Sequence, residues 1–140
     1  MNEIEVLGLK NNLNSYPFVE HKESVRRMQR SCMLLFIVPQ TAKNDLILTG
    51  KLFEYLASGT PLLSIGPLDG NAAKIIKDCG RGDMVDYDNN TQLKQTILDS
   101  FNSWIDTDKE CPQLTINEEI QNYSRQLQTK KLVSCIDQLI

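Results

Sequence analysis

The sequence has one histidine and one tryptophan, and its four cysteines, Cys32, Cys79, Cys111 and Cys135, stand far apart with no C-x-x-C pair. That spacing matches neither a zinc site nor a compact disulfide framework. Reduced thiols in the cytoplasm are therefore expected. Asp86 and Asp88 resemble a metal pair only loosely, and neither a metal nor a cofactor is expected. Basic residues do not exceed acidic ones: 15 against 18 leave a net charge of -3. This argues against a nucleic-acid binder working by broad phosphate neutralisation. No apolar run approaches the ~20 residues that span a bilayer; the longest, 33–38, has the length of a strand. The first residues, Met1-Asn2-Glu3, lack the basic-then-apolar order of a signal peptide. Internal repeats and low-complexity segments are missing too.

What is present is ordinary for one globular domain. The chain has 140 residues, 41% hydrophobic and 24% charged, enough for a single core. Residues 2–9 fit either a strand or the last turns of a helix, with Gly8 favouring the helix, and 16–20 reads as a short strand with Pro17 near its start. Residues 21–30 read as an amphipathic helix with Val25 and Met28 inside and Lys22, Arg26, Arg27 and Arg30 outside. The apolar run 32–38 predicts a strand buried on both faces. A loop over 39–48 leads to a helix over 50–58, with Thr49 as N-cap and Gly59 as the C-terminal glycine. A buried strand over 61–65 follows, then a helix over 71–79 capped by Asp69, a strand over 84–87, and a helix over 91–105 capped by Asn90. A linker over 107–114 and two helices, 116–123 and 129–140, close the chain. Strands alternating with helices predict an α/β fold, a Rossmann-like parallel sheet flanked by helices, in one domain over 1–140. Ligands on such sheets sit at the carboxyl ends of the strands.

The richest segment is Thr49-Gly50-Lys51-Leu52-Phe53-Glu54-Tyr55-Leu56-Ala57-Ser58-Gly59-Thr60-Pro61. A helix start presents free N–H groups and a positive dipole end, which suits phosphate. Gly50 has no side chain to block an anion. Lys51 is unfavourable next to that dipole unless an anion is bound. A carboxylate one turn further in, Glu54, can accept hydrogen bonds from sugar hydroxyls. Together they suit a nucleotide sugar. The bland readings are a solvated lysine, a surface glutamate and a capping threonine.

From Tyr16 to Asn90 the chain resembles the C-terminal domain of group 1 glycosyltransferases with the GT-B fold. The resemblance rests on the segment above, on Tyr16-Pro17-Phe18-Val19-Glu20-His21-Lys22-Glu23-Ser24, and on Ile65-Gly66-Pro67-Leu68-Asp69-Gly70-Asn71-Ala72-Ala73-Lys74-Ile75-Ile76. Tyr123-Ser124-Arg125 and the tail from Lys130 look like the family's closing helices. The family carries two glutamates eight residues apart. Glu54 matches the second, which binds the donor ribose; the first would fall at Leu46, which is not acidic. The resemblance implies that Lys51, Gly50 and Thr49 face the diphosphate. It also implies that Val19 offers backbone groups to the nucleobase; His21 is a donor-site candidate from its place at a strand's carboxyl end, against the plainer reading of a loop or capping residue. The resemblance assigns no catalytic residue. The implied reaction is sugar transfer from a nucleotide diphosphate donor to a glycan or lipid-linked acceptor. A whole domain of this family has six strands, against four expected here, and works with an acceptor-binding N-terminal half. The fragment is therefore expected to be inactive alone, and to self-associate through unpaired strand edges and the apolar stripe Leu132, Val133, Ile136, Leu139 and Ile140.

Two rivals stand beside this reading. A nucleotide-sugar epimerase of the same fold would need a carboxylate and histidine set for proton transfer. A non-catalytic interaction domain of receiver-like fold would need an acidic cluster at the strand ends, where this chain has His21, Pro39 and Gly66. The basic face of 21–30 is by default solvated; the sharper reading is a peripheral contact with the inner face of the membrane.

Overall fold

The computed structural model describes residues 3–139. Three parallel strands form the sheet: β1 (Leu34–Ile37), β2 (Leu62–Ile65) and β3 (Met84–Val85), in the order β1-β2-β3. Leu34 pairs with Leu62 and Ile37 with Ile65; Ser64 pairs with Met84. The helices are α1 (Glu3–Val6), α2 (His21–Arg30), α3 (Gly50–Ser58), α4 (Asn71–Asp78), α5 (Asn90–Asp106), α6 (Glu118–Asn122) and α7 (Arg125–Asp137). The described chain is thus α/β, a small parallel sheet flanked by helices.

One core holds it together. Phe36, Val38, Leu52, Leu56, Leu62, Ile76 and Met84 meet in a single buried cluster, which Met28 of α2 and Ile120 of α6 extend. Val25 packs against it from α2, as the amphipathic spacing requires. The C-terminal ends of α2 and α3 are joined through Thr60, whose Oγ1 donates to the Met28 carbonyl at 2.7 Å. Both ends lie at the start of the sheet, where Leu34 N bonds the Pro61 carbonyl. Each helix then reaches back ~15 Å, at 1.5 Å per residue, toward the carboxyl ends of the strands.

Several expectations are corrected. Residues 13–20 form no strand. Pro17 has no amide for a ladder, and Phe18 is 98% exposed, so no neighbouring strand covers this stretch. The described sheet therefore has three strands, not four. β1 is buried on one face only: Leu34, Phe36 and Val38 are inside, while Leu35 and Ile37 are half exposed. A continuous apolar run does not reveal whether its second face has a cover. Leu34 and Val38 amides bond into the β2 side, so the alternate amides of Leu35 and Ile37 face an open edge.

The caps also differ. Gly70, not Asp69, occupies the N-cap of α4, without a side-chain bond. Asn89, not Asn90, caps α5, accepting from Gln92 N at 3.0 Å; the helix simply begins one residue earlier. Thr49 is the N-cap of α3, but its side chain makes no capping bond. The closing helices start at Glu118 and Arg125, and α7 ends at Asp137. Ile140, in the predicted apolar stripe, and Asn2, in the first predicted helix, lie outside the described residues. The cysteine expectation fails for one pair: Cys32 and Cys111 form a disulfide across 79 residues. Only the fold brings them together, so spacing gave no sign of it. Cys79 and Cys135 are free thiols.

Candidate functional site

The site follows from how α3 begins. Thr49 is extended, with φ -115° and ψ 153°, and its hydroxyl does not bind the helix. The first amides of α3 are thus free of side-chain capping. Gly50 is exposed, and a Cβ placed there would meet nothing within 4 Å. Lys51 and Glu54 are exposed, one turn apart on the same side of the helix. Lys51 Nζ stands 5.1 Å from the Tyr55 ring centroid, a cation–π contact. Neither Lys51 nor Glu54 forms an ion pair with a described residue. Leu52 and Leu56, on the opposite side, are fully buried and fix the helix's rotation.

The loop over 39–49 shapes the surroundings. Lys43 takes the left-handed conformation with φ 62°, and a 3-10 turn follows over Asn44–Leu46. Tyr87, just beyond β3, anchors the loop. Its hydroxyl donates to the Val38 carbonyl at 2.8 Å and accepts from Asn44 Nδ2 at 3.1 Å. The turn packs against the start of α4, where a Cβ on Gly70 would come within 3.3 Å of Asp45 backbone. Gly66 is tighter still: a Cβ would approach Val38 and Met84 at 3.0 and 3.1 Å. The carboxyl end of β2 is thus closely packed beneath the loop. Leu46, where the family's first glutamate would fall, is exposed on the 3-10 turn.

His21 is the first residue of α2 and is exposed; Val19 is half-buried in the irregular stretch before it. α2 and α3 pack against each other, and Thr60 joins their C-terminal ends through the Met28 carbonyl. Among the described residues no hydrogen bond joins Val19 or His21 to the 49–54 segment. A cavity of about 530 Å³ is lined by Met33, Pro61, Ile97, Phe101 and Trp104. Another of about 460 Å³ lies between Asp69, Lys74, Lys77 and Gln92. Among the described residues no group of three His, Cys, Asp or Glu could hold a metal. Asp86 has a local role, accepting the Asp88 amide at 3.1 Å. On α2, Glu23 pairs with Arg27 at 3.0 Å and Arg26 at 3.5 Å, and the Arg27 guanidinium stacks 4.1 Å from the Tyr16 ring centroid. The basic face is therefore partly neutralised. Among the described residues no helix is long and apolar enough to cross a membrane.

Sequence reasoning missed Tyr87 and Asn44, which hold the loop that borders α3. A tyrosine after a two-residue strand carries no signal of its own, since its partners lie 43 and 49 residues away. A scan of protein-family profiles and searches among characterised proteins and solved structures found no match to this chain.

Proposed function

We propose that the start of α3 holds the diphosphate and ribose of a nucleotide-sugar donor, as in the C-terminal half of a GT-B glycosyltransferase. The single observation that supports this most is a helix start without a side-chain cap at the carboxyl end of a parallel sheet, carrying Lys51 and Glu54 one turn apart, neither in an ion pair with a described residue. The Gly50 and Lys51 amides and the Lys51 ammonium face the diphosphate oxygens. Glu54 accepts hydrogen bonds from the ribose hydroxyls. Departure of the nucleoside diphosphate leaves negative charge, which a helix start with a lysine stabilises without reorganisation. The sugar goes to a glycan or lipid-linked acceptor. Val19 and His21 border the nucleoside from the start of α2.

Isothermal titration of the chain with nucleoside diphosphates tests this. Glu54→Gln should cost about 1.5–3 kcal/mol of binding, the worth of hydrogen bonds to a charged acceptor, with the fold intact. Lys51→Ala should weaken the diphosphate far more than the bare nucleoside. Unchanged affinity in Glu54→Gln, or equal losses for both ligands in Lys51→Ala, removes the residue concerned from the site.

A further inference from the structure

The cavity of about 530 Å³ lies between the start of the sheet and α5. Its sheet wall is Cys32, Met33 and Pro61; its helix wall is Ile97, Phe101 and Trp104. The Cys32–Cys111 disulfide joins the two walls, since Cys32 precedes β1 and Cys111 follows α5. Little else holds them together. The inner face of α5 is Leu93, Thr96, Ser100 and Trp104, all half-buried, and the helix fully buries none of its residues. Two of those four are small and polar, so apolar burial holds α5 down only weakly. Among the described residues no hydrogen bond or ion pair joins α5 to a strand.

The end of α5 moves as one piece with Cys111. Trp104 Nε1 donates to the Lys109 carbonyl at 2.8 Å, and the Thr107 hydroxyl reaches the Ser103 and Glu110 carbonyls at 3.0 and 3.2 Å. This knot couples the disulfide to the indole. The chain beyond it is held separately. Gln113 Nε2 donates to the Gln29 carbonyl at 2.9 Å, the Leu114 amide to the Gly59 carbonyl at 2.7 Å, and Ile120 packs in the core. Loss of the bond therefore frees α5 while α6 stays docked. Leu114 lies three residues past Cys111, a tether of about 10 Å. Both cysteines are partly exposed, and Cys32 lines the cavity, so a small thiol can reach the bond.

We propose that the Cys32–Cys111 disulfide is a reversible redox clamp that holds α5 against the start of the sheet. A dithiol supplies the two electrons. One of its thiolates attacks a sulfur of the bond, and the other cysteine leaves as a thiolate and takes a proton. The second thiol then displaces the first cysteine, which is protonated in turn, and the reductant ends as a cyclic disulfide. With the sulfurs parted, α5 swings within its tether. Phe101 and Trp104 draw away from Met33 and Pro61, and the cavity opens to water. A small disulfide runs the exchange backwards. The inference does not depend on the proposed donor site.

Trp104 is the single tryptophan, so its emission reads the helix wall directly. Dithiothreitol shifts the emission of the oxidised chain to the red and speeds amide exchange over 96–106 by about tenfold or more. Far-UV circular dichroism and exchange in β1, β2 and α3 hold. Oxidised glutathione restores the starting spectrum. Cys32→Ser and Cys111→Ser each show the reduced spectrum and do not respond to dithiothreitol, whereas Cys135→Ser responds as wild type does. Emission and exchange left unchanged by complete reduction, verified by thiol alkylation, overturn the proposal. So does a loss of circular dichroism and exchange protection along the whole chain, because the bond is then a staple of the entire fold. Both of these results come from the wild-type chain, so they decide the question even where a serine variant fails to fold.

Discussion

Arg81 is a buried guanidinium whose partner is a carbonyl rather than a carboxylate. It is 1% exposed, and its Nε and Nη2 both donate to the Leu56 carbonyl, at 3.3 and 3.2 Å. That carbonyl is one of the last four of α3, which the helix itself leaves unsatisfied. Arg81 thus acts as a distant C-cap, and burial lowers its pKa from the ordinary arginine value. Beside it Cys79 is equally buried; burial raises its thiol above the ordinary 9.0, against an opposing pull from Arg81. The two shifts act oppositely on stability, and the Cys79 thiol, whose ordinary value is the lower, acts first as pH rises. The folded state keeps the proton that the unfolded chain releases, so this contribution is complete below pH 9 and lost as pH rises through the folded value. Urea midpoints should therefore fall as pH climbs above 9, and Cys79→Ala should flatten the first part of that fall. Tyr123, raised mainly by burial from 10.0, adds a later decline. An unchanged pH profile in Cys79→Ala would mean the thiol does not titrate with folding.

At the scale of the element, α3 joins fold to proposed site, and its far end is as constrained as its start is open. Gly59 ends the helix in the left-handed region with φ 81°, and a Cβ there would sit 3.1 Å from the Leu114 carbonyl. The same glycine's carbonyl accepts the Leu114 amide at 2.7 Å. Gly59→Ala should therefore destabilise the fold by about 1–2 kcal/mol, from the left-handed backbone and the tight contact together; thermal unfolding measures it. This end of α3 was legible beforehand, because a glycine after an amphipathic stretch has one common use. β1, β2, α2 and α3 were legible for similar local reasons: apolar runs of strand length, and Val25 and Met28 three residues apart. The stretch 16–20 was misread because its apolar residues imply a strand only where a neighbour exists to pair with it. The candidate site was legible as far as Thr49, Gly50, Lys51 and Glu54, which are contiguous in sequence. Its supports were not: Tyr87, Asn44 and Arg81 act across 25 to 49 residues. Local pattern carries no information over that range.

The molecule as a whole is tied at the start of its sheet, away from the proposed donor end. The Cys32–Cys111 disulfide fastens the stretch after α5 to the residues before β1. Closing a loop of 79 residues restricts the unfolded chain strongly. Cys111→Ser should cost about 2–4 kcal/mol by chemical denaturation, and reducing agent should lower wild-type stability by a similar amount. Equal stability with and without the bond would mean that folding does not draw on it. The bond also changes the connectivity of the polypeptide. Everything from Cys32 to Cys111, which includes all three strands and α3 to α5, is a covalent ring; α1 and α2 hang from one side and α6 and α7 from the other. A peptidase that cuts the exposed 39–43 turn opens the ring without dividing the molecule. The two pieces migrate as one until a reductant parts them. A chain pulled from its ends pays out only its two tails, because tension passes across the sulfur bridge and bypasses the sheet.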